Sequence, residues 1–257
     1  MENASKLFDL SGRIALVTGS SRGLGLTLAR GLAEAGATLV LNGRDEAVLS
    51  ASVARLSGQG LRVSGYPFNV TDGAAIEEAV ERIEREVGPI DILVNNAGIQ
   101  NRQPFENFPD DDFRALIEAN LTSAFLVSKR VAKRMIGRKH GKIVNICSLQ
   151  SEVGRPSITP YAASKGGLKM MTRGMAVEWA KHGIQANAIG PGYFKTDMTK
   201  ALVEDEAFSR WITGRTPAGR WGEPEELVGT LIFLASDASS FVNGQIIYVD
   251  GGVLAGL

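Results

Sequence analysis

Tyr161 and Lys165 are spaced for chemistry that neither side chain performs well alone. Side chains four residues apart lie on the same face of a helix, so a helix here would bring the phenol beside the ammonium. A tyrosine titrates near pH 10, and about 4 kcal/mol would bring its pKa to about 7, where a general acid–base works best. One ammonium about 4 Å away supplies roughly that much at an effective dielectric constant of about 20. The pair is therefore either an ordinary surface pair or a proton-transfer site, and the surrounding elements have to decide.

Ser148 is expected close to this pair because of the elements on either side of it. It ends an apolar strand predicted over 141–148, and a helix predicted over 160–182 follows. The carboxyl ends of the strands line the ligand crevice of an open α/β sheet. Tyr161 and Lys165 are therefore expected to face that crevice together with Ser148.

Short apolar strands alternate with helical patterns along the whole chain. Strands are predicted over 13–19, 38–43, 62–70, 91–98, 141–148, 184–192 and 245–252. Helices are predicted over 24–35, 45–56, 72–88, 110–137 and 160–182. Apolar strands without strict alternation, each followed by a helix, indicate a parallel sheet that is covered on both faces. The sequence predicts one doubly wound, Rossmann-type α/β domain over 1–257 with a seven-stranded, mostly parallel sheet. Residues 193–222, the least regular part, are predicted to be a lid over the substrate.

Composition and charge narrow the range of partners. The 257 residues are 44% hydrophobic and 22% charged, which is usual for a soluble globular protein. Lys+Arg and Asp+Glu both number 28, so no net charge favours nucleic acid or an anionic membrane. We find no signal-peptide pattern, no apolar run long enough to span a bilayer and no metal-ligand spacing. With a single cysteine, Cys147, the chain is expected to be cytoplasmic, without metal, membrane or nucleic-acid partners.

A glycine-rich turn, TGSSRGLGL, follows the first strand. Gly19, Gly23 and Gly25 would let the backbone approach a pyrophosphate at the N-terminus of the next helix. The spacing GxxxGxG differs from the usual GxGxxG fingerprint. A tight turn without a ligand is the alternative interpretation of this motif alone.

The end of the second strand indicates which dinucleotide would bind. NAD sites have an acidic residue there for the ribose 2′-hydroxyl, whereas NADP sites use arginine for the 2′-phosphate. Here the corner contains Gly43 and Arg44, and Arg22 in the glycine-rich turn could add a second cation. These residues favour NADP, with NAD also possible.

The motifs taken together resemble the classical short-chain dehydrogenase/reductase family. The resemblance covers essentially the whole chain and is carried by GxxxGxG (19–25), NNAG (95–98), Asn120, Ser148, YxxxK (161–165) and PG (191–192). It implies an NAD(P)-dependent alcohol or carbonyl oxidoreductase on a Rossmann-type domain, usually a homotetramer. It also implies that Tyr161 donates the proton to the carbonyl and that Lys165, helped by the nicotinamide cation, lowers the pKa of Tyr161 and binds the nicotinamide ribose. Ser148 would polarise the substrate oxygen, and Asn120 would anchor a water molecule of the proton relay.

The same resemblance implies a set of cofactor contacts along the carboxyl edge of the sheet. Val70 would flank the adenine, and Asn69 stands where the family more often has aspartate. The implied contacts are Gly19, Ser21, Arg22, Gly23, Leu24, Gly25, Arg44, Asn69, Val70, Asn96, Ala97, Gly98, Tyr161, Lys165, Pro191, Gly192, Phe194 and Thr196.

The stretches 95–105, 147–155 and 192–208 are similar to gluconate 5-dehydrogenases, a group within the family that interconverts D-gluconate and 5-keto-D-gluconate. A sugar acid needs a cation for its carboxylate and polar partners for its hydroxyls. Arg102 and Arg155 are the candidate cations; Arg102 is predicted to bind the carboxylate, and Gln150, Ser148 and Tyr161 are predicted to complete the substrate site.

Other functions on the same scaffold stay open from the residues alone. A 3-ketoacyl thioester reductase would need an apolar pocket, and another polyol or ketose could replace gluconate. A non-catalytic dinucleotide-binding protein is a further alternative, because a fold alone does not establish activity.

Overall fold

One parallel sheet organises the molecule, for which a computed structural model describes residues 4–256. Its strands are β1 (Ile14–Val17), β2 (Thr38–Gly43), β3 (Val63–Pro67), β4 (Ile92–Asn95), β5 (Gly141–Ile146), β6 (Ile184–Pro191) and β7 (Ile246–Val249). They lie in the order β3-β2-β1-β4-β5-β6-β7, and every neighbouring pair is parallel. The predicted α/β class is confirmed, and the sheet is parallel throughout rather than mostly parallel. All residues of β1, β4 and β5 are buried. Such complete burial is typical of parallel strands that helices cover on both faces.

Helices cover both faces of this sheet. They are α1 (Gly23–Glu34), α2 (Glu46–Ser57), α3 (Gly73–Glu86), α4 (Asp110–Ile117), α5 (Ser123–Arg138), α6 (Thr159–Trp179), α7 (Lys200–Glu204), α8 (Glu206–Arg215) and α9 (Val228–Ala235). Apolar residues of α1, α2 and α9 form one core with the sheet, and those of α3, α5 and α6 form the other. Within residues 4–256, no helix is both long enough and apolar enough to cross a membrane.

The helix predicted over 110–137 is interrupted, so that prediction is wrong in its middle. A five-residue π-helical segment, Glu118–Thr122, separates α4 from α5. The buried Asn120 lies in this segment, where its side chain bonds to the backbone of Ile99 and to Ser164 of α6. Single π turns of this kind are frequent at functional sites because they re-aim a side chain.

Residues 193–222 contain more regular structure than their sequence indicated. The segment includes α7 and α8, and its aromatic side chains form a cluster in which ring centroids lie 5.3 to 6.3 Å apart. The members of this cluster are Tyr193, Phe208, Trp211 and Trp221. The cluster fixes the segment above the carboxyl ends of the strands, on the side where Ser148 lies.

Candidate active site

Ser148 and Tyr161 meet at the carboxyl end of β5, as the sequence predicts. Ser148 follows β5, and Tyr161 lies in the first turn of α6. The Ser148 hydroxyl lies close enough to the Tyr161 phenol to lower its pKa. Ser148 Oγ also donates to Gln150 Oε1 at 2.9 Å and accepts from the backbone N–H of Gln150 at 3.2 Å. A substrate oxygen placed here would meet two hydroxyl donors.

Burial is the largest influence on the pKa of the Tyr161 phenol. It raises the pKa of this phenol from 10.0 to about 12, while the Ser148 hydroxyl and the charge of Arg102 act in the opposite direction. The phenol is thus held in its neutral form around neutral pH, which is the form that donates a proton.

Lys165 takes a position different from the one that its spacing suggested. Its Nζ is buried and donates to the carbonyl oxygen of Ile146 at 2.7 Å, and it lies 5.7 Å from the centroid of the Tyr161 ring. Burial also lowers the pKa of Lys165. Burial has the largest influence on the Tyr161 pKa in this arrangement, so the lowering of that pKa by Lys165 together with a nicotinamide cation stays a prediction.

Asn120 closes the base of the site from the π-helical segment. Its Oδ1 accepts from the N–H of Ile99 at 2.7 Å, and its Nδ2 donates to Ile99 O at 3.0 Å and to Ser164 Oγ at 3.2 Å. Ser164 immediately precedes Lys165 on α6. Asn120 therefore fixes the loop after β4 against the helix that carries Tyr161 and Lys165.

The glycine-rich turn leaves room for a phosphate at the N-terminus of α1. Among the described residues no side-chain hydrogen bond caps this 12-residue helix at Arg22, and the Asp197 carboxylate lies beside Gly23, with Oδ2 3.3 Å from where a Cβ would stand. The N–H groups of the first turn are the donors that a bound phosphate would use. A Cβ at Gly25 would lie 2.4 Å from both Gly19 O and Asn96 Nδ2, so only glycine allows this close packing. A cavity of about 520 Å³ extends beside this turn, lined in part by Leu24 and Thr196.

Asn42 holds the glycine-rich turn in place and was not singled out from the sequence. Its buried Oδ1 accepts from the N–H of Gly19 at 3.1 Å, and its Nδ2 donates to the carbonyl oxygens of Tyr66 and Phe68. The backbone N–H of Asn42 donates to Ser20 Oγ at 3.0 Å. The signal was present, since a polar residue within the apolar strand TLVLNG needs a buried partner.

Arg22, in the turn after β1, and Arg44, just after β2, are both exposed. An NADP 2′-phosphate would lie between these two turns. Neither arginine has an acidic partner within 4 Å among residues 4–256. A Cβ at Gly43 would lie 2.8 Å from Ser21 Oγ, so the acidic residue of an NAD site would clash at this position. These residues fit a phosphorylated dinucleotide.

The other predicted cofactor residues lie along the same edge, with one exception. Asn96 Nδ2 donates to Thr18 O and Gly19 O, and Ala97 N donates to Thr18 Oγ1. Residue 98 follows β4, residue 191 ends β6, residues 192 and 196 follow it, and residues 69–70 follow β3. The side chain of Phe194, by contrast, is buried in the core on the α1 face, so only its backbone can face a ligand.

The substrate side of the crevice contains two arginines. Arg102, in the loop after β4, donates from Nη2 to Met198 O at 3.3 Å, and Arg155 lies with its guanidinium 5.1 Å from the centroid of the Phe208 ring. Gln150 Nε2 donates to Tyr193 Oη at 3.4 Å. Each arginine thus contacts the 193–222 segment, and no group of residues in the described chain has the composition of a metal site.

Comparison with known proteins defines the class to which this fold and site belong. A family model described as Enoyl-(Acyl carrier protein) reductase matches residues 19–254. The chain belongs to the short-chain dehydrogenase/reductase family of oxidoreductases. The family and the fold class predicted from the sequence are thereby confirmed.

Several relatives are similar over nearly their full length. The chain is 55% identical to the 5-keto-D-gluconate 5-reductase of Escherichia coli (strain K12) over 248 residues, covering 96% of this chain and 98% of that protein. It is 55% identical to the gluconate 5-dehydrogenase of Gluconobacter oxydans (strain 621H) over 251 residues, covering 98% of each. A crystal structure of a gluconate 5-dehydrogenase from Burkholderia cenocepacia J2315, in complex with NADP and tartrate, matches with a TM-score of 0.97. That match has 53% identity and covers 99% of this chain and 100% of the other.

Proposed function

We propose that this protein reversibly reduces 5-keto-D-gluconate to D-gluconate with NADPH. The observation that carries the proposal is the guanidinium of Arg102, which has no described acidic partner and whose charge acts on Tyr161 in the crevice. Its Nε is buried and has no partner among residues 4–256, and a substrate carboxylate would satisfy it. The 5-keto-D-gluconate 5-reductase and gluconate 5-dehydrogenase relatives support the same substrate.

In the proposed reaction the chain's own residues orient the ketone and move a proton. The reduced nicotinamide supplies the hydride when bound. Ser148 donates a hydrogen bond to the substrate oxygen, and Tyr161 donates its proton to that oxygen as the alkoxide charge develops. The raised pKa of Tyr161 keeps this proton in place around neutral pH. Lys165 would bind the nicotinamide ribose through its ammonium protons, and Asn120 would hold the water of the proton relay.

NADP is the cofactor that the residues around the glycine-rich turn fit best. Arg22 and Arg44 offer two guanidiniums without acidic partners in the described chain, and bidentate arginine suits a phosphate monoester. The close contact of Gly43 with Ser21 disfavours the carboxylate of an NAD site. The Burkholderia relative, whose complex contains NADP, supports this choice.

The test of the carboxylate assignment is Arg102→Ala. Hydrogen bonds to a charged group contribute about 1.5–3 kcal/mol, so KM for 5-keto-D-gluconate should rise about 10- to 150-fold. KM for an uncharged ketose should change much less. Arg114→Ala is the matched control, because Arg114 is exposed on α4 and paired only with Asp111. An equal change of KM for the charged and uncharged ketones would defeat the assignment.

The alternatives fit the site less well. A 3-ketoacyl thioester offers a long apolar chain, whereas the crevice presents Arg102, Gln150 and Arg155. A non-catalytic dinucleotide-binding protein would not need the Ser148 hydroxyl beside the Tyr161 phenol.

We further propose that 1–257 is a single domain in which 193–222 covers the substrate. The contacts of this segment with Arg102, Gln150 and Arg155 support that role. Limited proteolysis tests it, since bound NADPH and D-gluconate should slow cleavage within 193–222.

We also propose a cytoplasmic homotetramer. Phe113, Phe125 and Val177 on α4, α5 and α6 are exposed large apolar side chains, as subunit interfaces require. The single cysteine fits a reducing compartment, and fractionation of the source cells would test the location.

A further inference from the structure

Arg155 lies where its charge has no counterpart in the described chain. It is in the loop between the Leu149–Ser151 turn and α6, and its guanidinium stacks on Phe208 of α8, with 5.1 Å between Cζ and the ring centroid. Its Nε is buried without a hydrogen-bond partner, and no described carboxylate lies within 4 Å of it. An unsatisfied charged donor of this kind calls for an anionic or strongly accepting ligand.

Arg102 presents the same problem on an adjacent loop, because the N–H of Gln103 donates to Ser157 O at 3.1 Å and so joins the loops that carry the two arginines. Its Nε is also buried and without a partner among residues 4–256, and burial first, then the charge of Arg155, lowers the pKa of Arg102. Two guanidiniums that repel each other and have no acidic neighbour are costly to keep together unless a bound anion relieves the repulsion. The pair is therefore arranged for one shared anion rather than for the stability of the fold.

Both arginines are also fixed in place by the segment that covers the crevice. Arg102 donates to Met198 O, and Arg155 stacks on Phe208, which in turn packs against Tyr193 and Trp221. A stacked guanidinium keeps its N–H edge free for a ligand while its face is held. The stacking thus orients Arg155 without using its donors.

We propose that Arg155 is a second specificity-determining residue, which holds the carboxylate of the sugar acid together with Arg102. This inference rests on the proposed function and adds a second cation to the substrate site. The carboxylate would lie between Arg102 and Arg155, and Phe208 would orient Arg155. The site then selects anionic ketones over neutral ketoses of the same length, because only a carboxylate pairs with both guanidiniums.

The test compares Arg155→Gln and Arg155→Lys with Arg210→Gln. Arg210 is an exposed arginine on the same helix as Phe208, so its variant controls for a loss of charge nearby. Two readouts are measured: steady-state kinetics with 5-keto-D-gluconate and D-fructose, and D-gluconate binding to the NADPH complex by tryptophan fluorescence. Trp211 and Trp221 lie in the cluster with Phe208 and can report that binding.

Arg155→Gln should raise both KM for 5-keto-D-gluconate and Kd for D-gluconate about 10- to 100-fold. The kcat of Arg155→Gln, and its kcat/KM for D-fructose, should stay within about threefold of the wild-type values. The KM and Kd of Arg155→Lys should fall between those of the wild type and Arg155→Gln, because lysine keeps the charge but not the planar fork of donors. If Arg155→Gln binds D-gluconate as tightly as Arg210→Gln does, the inference is wrong although the proposed function stands. If the wild type turns over no sugar acid at all, the proposed function itself fails.

Discussion

Raising the pH should separate the two directions of the reaction, because they need opposite forms of Tyr161. Reduction needs the neutral phenol as proton donor, whereas oxidation needs the phenolate as base. Burial raises the pKa of this phenol to about 12. The neutral form therefore dominates below that value, and the phenolate is scarce at neutral pH.

The size of the effect follows from the geometry. A positive charge at the 5.7 Å that separates Lys165 Nζ from the ring centroid contributes about 3 kcal/mol at an effective dielectric constant of about 20, and an oxidised nicotinamide would supply such a charge when bound. That corresponds to about 2 pKa units and brings the phenol from about 12 to about 10 during oxidation. Oxidation should thus speed up about tenfold per pH unit below about pH 10. Reduction should be flat from about pH 6 to about pH 9.

The assay is kcat/KM for D-gluconate oxidation with NADP and for 5-keto-D-gluconate reduction with NADPH, over that pH range. Tyr161→Phe is the control, since it keeps the ring and removes the titrating group. Wild-type samples returned to pH 7 must regain their rate, which excludes unfolding. A plateau of the oxidation rate beginning near pH 7 would refute the reasoning, because Lys165 would then lower the pKa far more than its position allows.

Two further predictions follow from the surface of the chain. Arg44→Gln should raise KM for NADPH about 10- to 30-fold and leave KM for NADH within about twofold, since only the former carries a 2′-phosphate; equal effects in the kinetic assay would remove Arg44 from the cofactor site. Light scattering should give a mass about four times 27.4 kDa, and Val177→Glu should lower it whereas Val48→Glu, at an exposed position on α2, should not. A monomer mass for the wild type would contradict the proposed tetramer.

The sequence predicted best those features that depend on the residues of a single strand or helix. The strands are apolar on both faces, which predicted the parallel sheet, and Asp45 precedes α2 and accepts from the N–H of Val48, as a helix cap should. Ser148 and Tyr161 could be placed in one crevice because the carboxyl ends of parallel strands always share an edge.

The features that the sequence could not predict depend on contacts between different helices, strands and loops. The π-helical turn at Asn120 lies inside an uninterrupted helical pattern, and only contacts with Ile99 and Ser164 show why the helix changes there. The 5.7 Å between Lys165 and the Tyr161 ring depends on the carbonyl of Ile146, on a different element. The stacking of Arg155 on Phe208 likewise brings together residues that are 53 positions apart in the chain, which no local sequence pattern predicts.

The most direct test of the proposed function is the initial rate of NADPH oxidation by the purified protein with 5-keto-D-gluconate. The same assay is run with NADH, with an acetoacetyl thioester and with neutral ketoses. We expect fast turnover with NADPH and 5-keto-D-gluconate and slow turnover with every other combination. Preferred turnover of the thioester or of a neutral ketose would contradict the role given to Arg102 while leaving the Ser148–Tyr161 chemistry intact.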